Sequence, residues 1–379
     1  MGDRSILGTA DVTDEQLLVM VAGLLGCDRG ETELVSSEAE EVDYDLPAIT
    51  TAGRYWVRGL ARVSGREEQF AFFVKHVQSW SRSPYFSMVP AEQREVAEAS
   101  VPWRTEPLAY RSDLGNRLPE GLTMPRALGV FDLDDKSAAI WLEVASSGTA
   151  PWDLERYARA AHLLGRMAAS GAVRELATVG HCEWDIRVYH WGRLEMQVLP
   201  MLRDPGIWQH PLIATAFDDE LRTRLLRAAD RAPAIVEELM AMPEATIHGD
   251  ACPNNLLPRV GADGFVLIDY GFWNLGPIGF DLGQLLVGDV QDGRRPTSDL
   301  RLIDEAILPA YAEGLRAEGW DLHEPVVRRA HALHLLLFTG LSTLPFEHLE
   351  APPTDELHRV AAERAAIARF SLDLLDATD

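Results

Sequence analysis

Ala245-Thr246-Ile247-His248-Gly249-Asp250-Ala251-Cys252-Pro253-Asn254-Asn255, followed downstream by Ile268-Asp269, is the stretch that decides how this chain reads. An apolar run leads into a loop that carries a carboxylate, Asp250, and an amide five positions on, Asn255. A second carboxylate follows at Asp269. In between, Leu256-Leu257 and Phe265-Val266-Leu267-Ile268 are separated by Gly261-Ala262-Asp263-Gly264, the pattern of a tight hairpin. A carboxylate to receive a hydroxyl proton, with oxygen ligands for a divalent ion beside it, is what phosphoryl transfer requires of a protein. Mg2+ prefers hard oxygen, so Asn255 and Asp269 suit it better than the neighbouring Cys252.

The order His-x-Asp-x-x-x-x-Asn, then Ile-Asp, resembles the aminoglycoside phosphotransferase and choline-kinase-like family. By position, the resemblance implies Asp250 as catalytic base, Asn255 and Asp269 as Mg2+ ligands, and His248 as a brace for the loop. Cys252 and Asn254 depart from the His and Gly that family members often carry there. Gly276-Pro277-Ile278-Gly279-Phe280-Asp281-Leu282 resembles the family's Gly-x-x-x-x-Asp-Leu element, which implies that Asp281 anchors the catalytic loop. Asp281 comes twelve residues after Asp269, which leaves no room for the activation segment ending in Ala-Pro-Glu with which protein kinases dock peptides. The acceptor is therefore expected to be a small molecule.

The resemblance also calls for a lysine on an upstream strand to hold nucleotide phosphates. Of 35 basic residues only Lys75 and Lys136 are lysines, and Lys75 lies in Phe70-Ala71-Phe72-Phe73-Val74-Lys75-His76-Val77. A compact ammonium suits a position between two phosphates. Its expected partner is Glu106, although Pro107 disfavours a helical residue before it unless the pair sits in a first turn; Glu95 and Glu98 remain alternatives. Thr51 and Gly53, within Thr50-Thr51-Ala52-Gly53-Arg54, are candidates for a phosphate-covering loop, with a plain turn equally compatible. Leu142, Glu143 and Val144 would form the hinge that reads the adenine edge with backbone groups.

These readings imply an α+β, protein-kinase-like two-lobe fold, with a small N-lobe antiparallel sheet and one helix, and a larger, mainly helical C-lobe carrying the catalytic hairpin. Residues 1–45 read as a helical extension and acidic linker, 46–145 as the N-lobe and 146–379 as the C-lobe. Thr13-Asp14-Glu15-Gln16 is a capping box for a helix stopped by Gly26. Its apolar run is short and follows acidic residues, unlike an export signal, and no run approaches membrane-spanning length. A helix from Pro151 to Met167 repeats Leu154, Tyr157, Ala158, Ala161, Leu164 and Met167 at core spacing. Three widely spaced cysteines, Cys27, Cys182 and Cys252, outline neither a disulfide framework nor a zinc site, and a cytoplasmic setting is expected.

A net charge of -24 argues against a nucleic-acid partner. It is compatible with a cationic acceptor such as an aminoglycoside, and equally with mere solubility. Glu183 and Asp185 in His181-Cys182-Glu183-Trp184-Asp185, then Asp289, Asp292, and Trp320 with Asp321, are the acidic and aromatic candidates for acceptor contacts. The expected activity is transfer of the γ-phosphoryl of ATP, with Mg2+ and with GTP left open, to a hydroxyl of a small molecule. A metabolic kinase for a sugar, amino alcohol or amino acid is the alternative within enzymes. A catalytically silent nucleotide-binding sensor or scaffold is the alternative outside them. Oligomeric state is not legible.

Overall fold

Strand alternation sets the architecture. The computed structural model describes residues 3–43, 48–148, 151–181 and 183–379. Its first strands are β1 (Thr32–Glu41), β2 (Thr51–Val63), β3 (Arg66–Gln78), β4 (Leu122–Thr123), β5 (Ala127–Asp134) and β6 (Ser137–Glu143). All but β4 form one antiparallel sheet in the order β1-β2-β3-β6-β5. Side chains alternate across a strand, so Phe70, Phe72 and Val74 of β3, with Ala139 and Trp141 of β6, fill one face. Val77, Ala138, Ile140 and Leu142 join the main core on the other. Lys75 shares the parity of Val77 and is carried to that second face, opposite Arg54 of β2 and Ile140 of β6.

The first face is closed by helix α1 (Asp14–Leu25), which buries Leu17, Met20 and Val21 against it. Thr13 and Gln16 form the expected capping box, and Gly26 ends the helix in the left-handed conformation. Residues 31–45, expected as an acidic linker, are instead largely the edge strand β1, so the N-terminal segment is part of the sheet. The physical reason lies in the charges themselves. Glu33 pairs with Arg62 at 3.2 Å and Glu40 with Arg58 at 2.9 Å across the β1–β2 ladder, and charge along an edge discourages further strand pairing. The expected boundary at residue 46 lies outside the described residues.

Two further helices, α2 (Arg94–Ser100) and α3 (Thr105–Arg111), follow β3. The remaining chain is mainly helical and encloses four short hairpin and return strands, β7 (Glu244–Ile247) with β10 (Asn274–Pro277), and β8 (Leu256–Pro258) with β9 (Phe265–Leu267). β4 pairs parallel with β9 and so ties the end of the N-terminal part to the hairpin. The helix Leu154–Ala169 starts later than the expected Pro151, because Asp153 caps it by accepting a hydrogen bond from the Arg156 N–H. Leu154 is 42 % exposed rather than core. This helix meets Leu300–Ala317 at glycines from both: a Cβ at Gly165 would stand 2.2 Å from the Tyr311 carbonyl oxygen, and one at Gly314 2.0 Å from that of His162. Among the described residues, no helix is long and apolar enough to cross a membrane.

Candidate functional site

The loop between β7 and β8 carries the motif, and its shape is set from below. Asp281, at the start of the helix Phe280–Gln291, accepts the His248 N–H at Oδ2 and the Gly249 N–H at Oδ1, both at 2.9 Å. Gly249 has φ +84, and a Cβ there would stand 2.4 Å from the Phe272 carbonyl oxygen, so no larger residue fits the turn. His248 is wholly buried. Its Nε2 lies 3.0 Å from the Ile268 carbonyl and its Nδ1 faces the Asp250 N–H at 3.4 Å, which sets Nε2 as donor and Nδ1 as acceptor. Burial pushes this imidazole down to about 4, so it remains neutral as a brace.

Asn255 ends the short turn Pro253–Asn255 that opens β8, and its Nδ2 donates to the Asp250 carbonyl at 2.8 Å and to Asp250 Oδ2 at 2.9 Å. With Nδ2 turned toward Asp250, the amide oxygen is the atom left for a cation. Burial, and then the nearby charge of Asp269, push the Asp250 carboxyl up to about 6 against the opposing Asn255 hydrogen bond. A carboxyl poised there can receive a proton near neutral pH. Burial pushes the Cys252 thiol up to about 12, so it stays protonated and is a poor ligand.

Across the cleft, Lys75 Nζ lies 2.6 Å from Glu106 Oε2 and 3.0 Å from Asp269 Oδ1. The lysine and Glu106 are both buried. Burial alone would lower the Lys75 ammonium, but Asp269 and Glu106 outweigh it and hold it above its ordinary value. Glu106 is pushed up to about 7 by burial, against the pull of Lys75. For Asp269 burial acts upward too, yet Lys75, and then Arg54, hold it below the usual range. Asp269 adopts a left-handed φ of 63, a conformation that costs a non-glycine residue about 1–3 kcal/mol and aims its carboxylate back at the lysine. Pro107 is compatible with this pairing because Glu106 and Pro107 both fall in the first turn of α3. Of the alternatives, Glu98 is held instead by Lys136 at 2.6 Å and by Ser79 and Ser81, and Glu95 is exposed.

Thr51 and Gly53 require a correction. Both lie within β2, paired with Val77 and His76 around a bulge, rather than in a free loop. Gly53 is small because the Tyr55 ring lies over it; a Cβ would come 2.3 Å from the Tyr55 hydroxyl. Of the connection between β1 and β2, residues 44–47 are outside the described residues. Of the residues expected at a hinge, Leu142 is buried, Glu143 accepts from the Arg126 N–H at 3.0 Å, and Val144 is 39 % exposed just past β6.

Beside Asp250 opens a cavity of about 830 Å3. None of Glu183, Asp185, Asp289 or Trp320 lines it. Glu183 is exposed, and Asp185 caps the turn Ile186–Tyr189 and pairs with Arg187. Asp289 is buried, accepting from Tyr157 Oη at 2.8 Å and pairing with Arg294 at 2.8 Å. Trp320 packs on the main core. Asp292 pairs with Arg294, and Cys182 falls outside the described residues. These residues were chosen for charge or aromaticity alone, and neither property says which side of a helix faces a cavity. Much of the wall comes from two segments that motif reading passes over: residues 80–101, between β3 and α3, and residues 184–197, which run into a nine-residue π-helix, His190–Val198. Two signals were available. The first segment is too long and too aromatic for an idle connection, and Trp184 sits between the two carboxylates that were singled out.

A two-lobed fold with this loop, this lysine and this short return to Asp281 defines a small-molecule kinase. A model of the APH phosphotransferase enzyme family matches residues 119–326, and the chain belongs to that family. It is a phosphotransferase with a hydroxyl group of a small molecule as acceptor. No curated protein matches the chain. Similar solved structures include an aminoglycoside phosphotransferase from Alicyclobacillus acidocaldarius, 15% identical, covering 89% of this chain and 90% of that one with a TM-score of 0.49. They also include a spectinomycin phosphotransferase with ADP and spectinomycin, at 11% identity, 90% and 92% coverage and a TM-score of 0.43. A Plasmodium vivax ethanolamine kinase is 11% identical, with 91% and 83% coverage and a TM-score of 0.44. Likeness at this level carries nothing about the acceptor.

Proposed function

We propose that this enzyme transfers the γ-phosphoryl group of ATP, with Mg2+, to a hydroxyl of a small molecule held in the cavity beside Asp250. Residues up to 145 supply the nucleotide-side lobe, and 146–379 supply the catalytic loop and the acceptor side. The observation that carries the reading is the convergence of three sequence-distant groups: Lys75 clasped by Glu106 and Asp269, with the Asn255–Asp250 pair close enough for Asp269 to raise the Asp250 carboxyl.

Each group has a distinct task. Lys75 would hold the phosphates as a point charge. Asp250 would orient the acceptor hydroxyl and take its proton as the oxygen attacks phosphorus. Asn255 Oδ1 and the Asp269 carboxylate offer two hard oxygens to Mg2+, which would neutralise charge on the phosphates. Among the described residues no cluster of three or more His, Cys, Asp or Glu could hold a metal ion alone. Two protein ligands completed by phosphate oxygens and water is the mode Mg2+ favours, so the donor set fits. A cytoplasmic location belongs to the same proposal, since ATP is supplied there.

ADP release and acceptor phosphorylation by mass, followed over a panel of hydroxyl compounds with ATP or GTP and with or without Mg2+, test the reading. Mg2+-dependent product from the parent, and about 10² to 10⁴ less from Asp250→Asn, is the expected result. Nucleotide binding with no product from any acceptor would favour the sensor alternative.

A further inference from the structure

The cavity beside Asp250 has a chemistry of its own. At about 830 Å3 it is large enough for a drug-sized molecule rather than for a small alcohol. Its walls are largely aromatic and aliphatic: Trp80, Tyr85 and Met88 from the first segment face Trp184, Trp191 and Phe338 from the helical side. Four residues at its mouth are apolar yet open to solvent, Tyr85 (42 %), Met88 (74 %), Trp191 (43 %) and Met196 (43 %). Exposed apolar groups gathered on both lips of one opening mark a surface that is covered in use, and methionines there adapt to irregular shapes.

Charge points the same way. Among the described residues that line the cavity, Asp250 is the only carboxylate and Arg193 the only permanent cation, and Arg193 already donates to Gln197 Oε1 at 2.6 Å. The chain carries a net charge of -24, but almost none of it reaches this wall. A polycation would lose its hydration here with a single carboxylate to receive it, and unpaired buried charge is costly. The remaining polar groups are neutral, among them Gln93, Gln197, Gln284 and His334. His334 is buried between Phe280 and Phe338, at ring distances of 5.0 and 6.1 Å, with the backbone of Pro277 and Ile278 beside it. Burial, and then His331, push it down to about 3, so it adds no charge to the wall.

We infer that the acceptor is a bulky, predominantly apolar hydroxyl compound that carries no cluster of positive charges, bound with its body against the aromatic walls and one hydroxyl at Asp250. This rests on the phosphotransferase reading for its role as acceptor, but the fit of the cavity can be measured without turnover.

The test compares three classes of hydroxyl compound: polycationic aminoglycosides, small polar alcohols such as glycerol and ethanolamine, and macrocyclic or polycyclic alcohols. Binding is followed by tryptophan fluorescence, since Trp80, Trp184 and Trp191 line the cavity, and phosphorylation by ADP release and mass. The third class is expected to quench fluorescence and turn over at least tenfold more efficiently than the other two. Trp191→Ala, at a half-exposed site that leaves the fold intact, is expected to raise KM for such an acceptor about tenfold with little change in kcat. Preference for aminoglycosides or for small alcohols would overturn the inference and leave the kinase reading standing. Quenching by the third class with no phosphorylation of any class would uphold the cavity chemistry and overturn the kinase reading. Neither quenching nor turnover with the third class overturns the inference.

Discussion

The two sides of the catalytic loop are built on opposite principles. On the nucleotide side, Lys75, Glu106 and Asp269 form a buried or half-buried cluster of charges in contact at 2.6 and 3.0 Å. On the proposed acceptor side, a wide cavity is walled by rings and aliphatic chains, with one carboxylate and one cation among its described residues. Charge in the first region is costly to bury unless fully paired, so its members are tightly specified, and Lys75 and Asp269 stand in recognisable sequence contexts. Apolar walls tolerate exchange of one large side chain for another, so the second region carries no motif. Catalytic chemistry and acceptor choice are thus encoded with different strictness on either side of Asp250.

The comparison is broken most severely at the residue that the two sides share. Asp250→Asn keeps the shape but loses the proton acceptor, and turnover is expected to fall by about 10² to 10⁴, with ATP affinity nearly unchanged in a calorimetric titration. Lys75→Arg tests the nucleotide side alone. A forked guanidinium cannot take the place of a point charge wedged between two carboxylates, so tenfold or more should be lost in turnover together with a lowered melting temperature. Parental kinetics in that variant would remove Lys75 from the phosphate site.

The pH profile probes the boundary between the two sides. Because Asp250 is raised to about 6, it is protonated and idle as a base below that value and ionised above it. Then kcat/KM should climb about tenfold per pH unit up to pH 6 and level off beyond it, a limb that should vanish in the residual activity of Asp250→Asn. A flat profile from pH 5 to 8 would contradict the assignment.

Asp281→Asn replaces an oxygen that accepts a backbone N–H with an NH₂ group that cannot. A loss of about 1–3 kcal/mol in stability is expected from the unsatisfied buried donor, read by denaturant melts, with kcat falling more than KM. Glu183→Gln should do least. It is exposed and outside the cavity, and both stability, within about 0.5 kcal/mol, and acceptor KM should stay at parental levels. A large rise in acceptor KM for Glu183→Gln would return the carboxylates to the acceptor site and erase the contrast.

The sequence by itself determined the catalytic loop, the return to Asp281, the lysine on its strand and the first helix with both its caps. Each depends on local spacing, and local spacing survives without knowledge of the fold. For Lys75, strand alternation even dictates the face it occupies once one face is known to be apolar. Only the tertiary structure decided that residues 32–41 form an edge strand, since the carboxylates that line an exposed edge look like those of a linker. It alone decided that Glu106 and not Glu98 meets Lys75, because Lys136, a neighbour only in space, takes Glu98. It also decided the character of the cavity: the net charge of a chain is a sum over its whole surface, and which few side chains turn inward beside Asp250 is fixed by how two distant segments pack against each other.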